Sequence, residues 1–161
     1  MEKEKLTGEL QKKMTNFVVE YEDRQYEFNM FDELSVDIEN INKELTEQPG
    51  KYAYWSAMYH LAKEELALKE SDLKIAIAQK DGELRESWER LFPNIKKTED
   101  AIAKKIDTDA AIIEKTKQVI EARKKVGYME TMKSAFEERK DTLVSLTSNL
   151  RSQRDNSQMK F

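Results

Sequence analysis

The chain has 161 residues, of which 39% are hydrophobic and 37% charged, with a net charge of −4 and no cysteine. That length suits one domain, and the missing cysteine excludes disulfide scaffolds, thiolate metal centres and thiol nucleophiles. No run of about 18 apolar residues is present to span a bilayer. No charged-then-apolar leader marks secretion, so a cytoplasmic protein is expected.

Charge is unevenly spread. Residues 1–50 carry 6 Lys/Arg against 13 Asp/Glu, a net of −7, whereas residues 51–161 carry 22 against 19, a net of +3. An acidic front joined to a mildly basic body points to a polyanion partner for the body. The plainer reading is a set of solvated helix faces.

Only four glycines and two prolines punctuate the chain, and the prolines fall at Gln48-Pro49-Gly50 and Phe92-Pro93-Asn94. Long stretches of Ala, Leu, Glu, Lys and Ile, all strong helix formers, fill the rest. The expected fold is all-α: long helices in an elongated bundle. Their apolar stripes are narrow, and such stripes are commonly buried against further copies, so a homo-oligomer is expected.

Three parts are expected in chain order: an acidic N-terminal extension over 1–31, a helical domain over 32–155 and a frayed tail over 156–161. Residues 1–14 alternate charge and read as a short exposed helix or a tail. In Asn16–Phe28, Val19/Tyr21 and Tyr26/Phe28 alternate with acids around a polar Asp23-Arg24-Gln25 centre. That pattern suits a β-hairpin, with an amphipathic helix as the alternative. A lone hairpin is marginal in water and must dock on something. A short helix from about Asp32 to Glu47, ending before Pro49, is expected next.

Lys51 to Leu91 predicts one helix of roughly 40 residues, about 60 Å long. Trp55, Leu66, Ile77 and Trp88 recur every 11 residues, as do Ala62, Leu73 and Leu84. An 11-residue repeat keeps a stripe nearly straight. Tyr54, Met58, Leu61, Leu68 and Ile75 make a second stripe on the first half alone, which can therefore touch two neighbours. Pro93 ends this helix, and a third begins near Asn94 or Thr98. Asp107-Thr108-Asp109 either caps a new turn or lies on a solvated face. The last helix carries Ile112, Ile113, Val119, Ile120, Val126, Met129, Phe136, Leu143, Leu146 and Leu150, with Gly127 a weak point within it. Fraying is expected from Arg151 onward.

Catalytic chemistry finds little footing here. The single histidine, His60, has no second histidine and no Glu-x-x-His pairing, so zinc and di-iron sites lack ligands. Glycines 8, 50, 82 and 127 stand alone, so no phosphate-binding loop is formed. A binding or assembling protein without cofactor or metal is expected, rather than an enzyme.

Two constellations remain. Tyr52, Tyr54, Trp55 and Tyr59 beside Lys51 and Lys63 either stack unpaired bases or form core. Lys74, Lys80, Arg85 and Arg90, then Lys96 and Lys97 with Lys104 and Lys105, are the cations able to follow a phosphate backbone. Asp81, Glu83, Glu86 and Glu89 interrupt them.

The order of features carries a resemblance. A Tyr52–Trp55 helix start leads into a long charged helix and a break. Lys97-Thr98-Glu99 follows with Ile102, Ile106 and Asp109, and a last helix contains Lys133-Ser134-Ala135-Phe136-Glu137-Glu138-Arg139. Over roughly 32–155 this resembles the UvsY family, the recombination mediators of T-even-like bacteriophages. The resemblance implies a helical protein in the host cytoplasm during infection, closed into a homo-oligomeric ring of about six to eight subunits. It implies sequence-independent binding of single-stranded DNA and help for a RecA-like recombinase in displacing single-strand-binding protein. It also implies that Lys74, Lys80, Arg85 and Arg90 match the family's DNA-contacting cluster. The rival expectations are a helical scaffold or adaptor protein without DNA binding, and a single-strand annealing protein.

Overall fold

The computed structural model describes residues 15–21 and 24–158. The tail expected over 1–14 and the Asp23 end of the hairpin turn lie outside them. Two strands come first, β1 (Asn16–Tyr21) and β2 (Arg24–Asn29), followed by a short helix α1 (Met30–Leu34). Three further helices complete the chain: α2 (Ile41–Leu91), α3 (Glu99–Asp107) and α4 (Ala110–Gln158). Apart from the hairpin, the described architecture is all-α, with two long helices packed together as the composition predicts. The chain divides into two compact units. Unit 1 takes the described residues up to Tyr59 and from Tyr128 onward, and unit 2 is His60–Gly127.

In unit 1 the strands pair antiparallel, with Phe17 opposite Phe28 and Val19 opposite Tyr26. Alternation decides which side is covered: Phe17 and Val19 are buried, while Val18 between them is exposed. Phe17 stacks on Phe28 and on Tyr128, with centroids 5.6 and 5.5 Å apart, and meets Trp55 edge-on at 5.9 Å. Trp55 in turn stacks on Phe136 of α4 at 6.2 Å. Burying a ring of this size is worth about 1.5–3 kcal/mol, which is how a two-stranded ribbon too weak to stand alone is held. The hairpin read from the sequence as part of an extension is thus packed on both long helices.

The helix expected from about Asp32 to Glu47 is corrected. Helix α1 starts on Asn29, whose side chain accepts from the N–H groups of Phe31 and Asp32, and it stops at Ser35. Asp37 then folds the chain locally, accepting from the backbone N–H groups of Glu39 and Asn40 at 3.0 and 3.3 Å. Such Asx turns compete with helix, and the long helix begins only at Ile41.

The second correction is Pro49, which lies inside α2 rather than ending a helix. An interior proline removes one hydrogen bond and clashes with the preceding turn, at a cost of about 3 kcal/mol. Tertiary bonds on both sides hold the helix through it. Gln48 is buried, donates from Nε2 to the Phe136 carbonyl at 2.5 Å and accepts from Arg139 at 2.8 Å. One turn earlier, Glu44 accepts from Arg139 at 2.7 Å. Arg139 also donates to the carbonyls of Ser35 and Leu34, at 2.7 and 3.3 Å, which fixes the end of α1. Four of the five guanidinium N–H groups are thus engaged, and only 4% of the side chain is exposed. Hydrogen bonds from this arginine, first among several causes, hold the Glu44 carboxyl below the usual carboxylate range.

Unit 2 is an antiparallel pairing of α2 with α4, closed at one end by α3. Cross-helix contacts set the register: Lys80 with Asp109 at 2.8 Å, Glu70 with Arg123 at 2.8 Å and Glu65 with Lys125 at 2.6 Å. The 11-residue stripe is largely inward, since Trp88, Ala62 and Leu84 are buried and Leu66 and Leu73 half-buried. Ile77 departs from it at 38% exposed. Helix α2 ends at Leu91, before Pro93, as predicted. Thr98 caps α3 by accepting from Ala101 N–H at 3.2 Å, and Asp109 caps α4 by accepting from Ala111 and Ile112. Helix α4 runs unbroken through Gly127 and past Arg151 to Gln158, so the stretch expected to fray from Arg151 is helical there.

Candidate nucleic-acid interface

The six predicted cations lie in unit 2, with Lys74, Lys80, Arg85 and Arg90 along the last part of α2 and Lys96 and Lys97 in the turn that follows it. Leu84, Trp88, Ile102, Ile106 and Ile112 form the core at that turn, with Phe92 packed against it. Trp88 anchors the turn by donating from its indole N–H to the Ile95 carbonyl at 2.8 Å. Because Pro93 forces the chain out of helix there, a side chain must fasten the returning segment.

Arg85 does so. It donates to Asp81 at 2.6 Å, one turn back on its own helix, and forks onto both Glu99 oxygens at 2.9 and 2.5 Å. The hydrogen bonds with Glu99 and then Asp81 raise the guanidinium pKa further, and the same contact holds the Glu99 carboxyl below its ordinary range. Lys97 donates to the Arg85 carbonyl at 2.6 Å and stitches the turn from its other end. Lys80 is bound to Asp109 at 2.8 Å, and that hydrogen bond raises the lysine pKa and lowers the aspartate's. Asp109 is thus both cap and counter-ion.

Two of the six, Lys80 and Arg85, are consequently neutralised by carboxylates of their own chain. Lys74 and Lys96 are exposed and make no ion pair among the described residues. Arg90 is exposed, with a long contact to the Ser87 hydroxyl at 3.4 Å. The six do not form one row. Sixteen residues advance a helix about 160° beyond whole turns, so Lys74 and Arg90 stand on nearly opposite faces. Of these six, Lys74, Arg90, Lys96 and Lys97 make no ion pair among the described residues, with Lys97 still in electrostatic reach of Asp81 and Glu99.

The aromatic constellation divides as well. Trp55 is 1% exposed and surrounded by Phe17, Phe28 and Phe136, so it is core. Tyr54 is 47% exposed and leans edge-on against Trp55. Tyr59 has the Lys133 ammonium 5.3 Å from its ring centroid. His60 is exposed.

A second basic group went unforeseen. In unit 1, Lys43 near the start of α2 and Arg151 and Arg154 near the end of α4 line a hollow of about 400 Å³. Neither arginine makes an ion pair among the described residues. The three-residue spacing of the arginines was visible in the sequence.

Among the described residues no group of three or more carboxylate, histidine or cysteine side chains could hold a metal, and no helix is long and apolar enough to cross a membrane. No family model, no curated protein and no solved structure matches the chain.

Proposed function

We propose that this protein is a non-catalytic, self-associating binder of single-stranded DNA that acts as a recombination mediator of the UvsY type. In this reading it loads a RecA-like recombinase in place of single-strand-binding protein. The observation that carries it is that four cations of the candidate cluster, Lys74, Arg90, Lys96 and Lys97, make no ion pair among the described residues. Four such charges hold a single strand weakly, and the grip falls as salt rises. Copies joined in one assembly present the same weak contacts at high effective concentration, so the whole holds far better than its parts. The order of features over 32–155 supplies the biological context. The excess of acids in residues 1–50 suits docking of a basic partner surface.

A second reading has its own support. Lys80 and Arg85 lie in the cluster the resemblance assigns to DNA, yet both are engaged in fastening the fold. A helical scaffold or adaptor whose charges serve solubility would look the same at those positions. Fluorescence anisotropy against oligo-dT and a matching duplex, at low and high salt, separates the two. The mediator reading expects preference for oligo-dT and loss of binding with salt. It also expects weakening by the combined Lys74→Glu, Arg90→Glu and Lys96→Glu changes. No oligo-dT binding at low salt would leave the scaffold reading.

A further inference from the structure

Unit 2 carries two apolar lines that its own core does not use. On α2, Leu61, Leu68 and Ile75 are 46%, 62% and 52% exposed. Spaced by seven, they drift only about 20° per step and so form one line along the helix. That line faces away from α4, because the buried and half-buried Ala62, Leu66 and Leu73 occupy the inner side. On α4, Ile113 and Ile120 are 42% and 51% exposed, again seven apart, while Ile112 and Val119 are buried inward.

Charge distinguishes the two lines. Glu64 and Asp72 flank the α2 line, three and four positions beyond Leu61 and Leu68, and make no ion pair among the described residues. Glu65, beside them, is already bound to Lys125. The α4 line is flanked instead by Lys117 and Lys124, each four positions beyond an isoleucine. Lys117 has no ion pair among the described residues, and Lys124 has only an exposed contact with Glu121 at 3.5 Å. One line is apolar and acidic, the other apolar and basic, at the same heptad spacing.

We infer that the acidic line on α2 of one copy seats the basic line on α4 of a second copy. This rests on the self-association in the proposed function and gives it an interface. Pairing like with like would oppose carboxylates on one side and ammoniums on the other, which is costly. Two different surfaces make a head-to-tail contact, and such contacts generate closed rings or open filaments rather than two-fold dimers.

Sedimentation velocity on the full chain tests this with one-sided variants. Leu68→Glu spoils the α2 line and Ile120→Glu the α4 line, both at exposed positions where the helix is undisturbed. Each alone should sediment as a protomer, with association weakened at least about tenfold. Mixed one to one, they should form a two-copy species and nothing larger, since each retains one sound surface. Charge gives a second arm that does not depend on those variants folding. Glu64→Lys with Asp72→Lys should abolish assembly, and adding Lys117→Glu with Lys124→Glu in the same chain should restore it. Wild-type assembly by either one-sided variant, a mixture left as protomers, or charge reversal without effect would overturn the interface. Those results leave DNA binding untouched. Loss of oligo-dT binding by an intact assembly would remove the DNA reading and leave the interface standing.

Discussion

Two arginines that look alike in the sequence do different work in the two units. Arg139 in unit 1 is 4% exposed and reaches Gln48, Glu44 and two backbone carbonyls. Arg85 in unit 2 is 40% exposed and holds Asp81 and Glu99 at the surface. Both fasten a non-helical segment to a long helix. Burial sets how much depends on each, because a buried charge cannot exchange a lost partner for water, whereas an exposed pair can.

The sharpest way to break the comparison is to remove the buried member. Arg139→Met should destabilise by about 3 kcal/mol, because buried Gln48 and the carbonyls of Leu34 and Ser35 lose their donor, while half-buried Glu44 keeps Lys51 and the Asp37 N–H. Urea unfolding measures it, and a loss no larger than that of an exposed residue would refute the buried network. Pro49→Ala comes next in size and has the opposite sign. If α2 runs through residue 49, alanine restores a helical hydrogen bond and stabilises by about 1–3 kcal/mol. A chain that breaks there would instead be loosened. Gly127→Ala should add up to about 1 kcal/mol, since nothing lies within 4 Å of where its Cβ would stand.

Acid probes the same buried network without a mutation. The native Glu44 pKa lies below its ordinary value, so the unfolded chain takes up that proton first. The stabilisation is complete above the ordinary glutamate pKa of about 4.3 and is lost as pH falls through the lower native value. Glu44→Gln should flatten the fall in urea midpoint over that window. An identical acid profile in the variant would show that Glu44 does not carry it. The smallest effect is expected from Arg85→Ala, whose exposed pairs are screened. Its cost should shrink further with added salt, whereas the Arg139 cost should not.

What was legible in the sequence follows the same division. The hairpin could be read because alternation is a local signal, and Pro93 ended α2 because nothing across the fold opposes it there. Pro49 could not be read. Its helix is held by Gln48 and Glu44 through Arg139, about 90 residues away in the chain, and intrinsic propensity knows nothing of such a bond. The candidate cations were legible as charges but not as free charges. Lys80 and Arg85 are tied to Asp109 and Glu99, carboxylates that only the turn after Pro93 brings near. The Lys133–Arg139 stretch carries the resemblance by its order in the chain, while its arginine belongs to the interior. Narrow stripes raise the expectation of self-association, which stays a proposal. Leu61, Leu68 and Ile75 are exposed together, and the proposed interface rests on them.

The account turns on weak cationic contacts multiplied by assembly, and the salt dependence of oligo-dT binding tests that directly. The four cluster cations of one protomer that make no ion pair give a slope of log affinity on log salt of about −3 on single strands. Assembly predicts a slope clearly steeper than that, falling to about −3 or less in Leu68→Glu. A wild-type slope no steeper than one protomer supplies, or no binding at low salt, would contradict it.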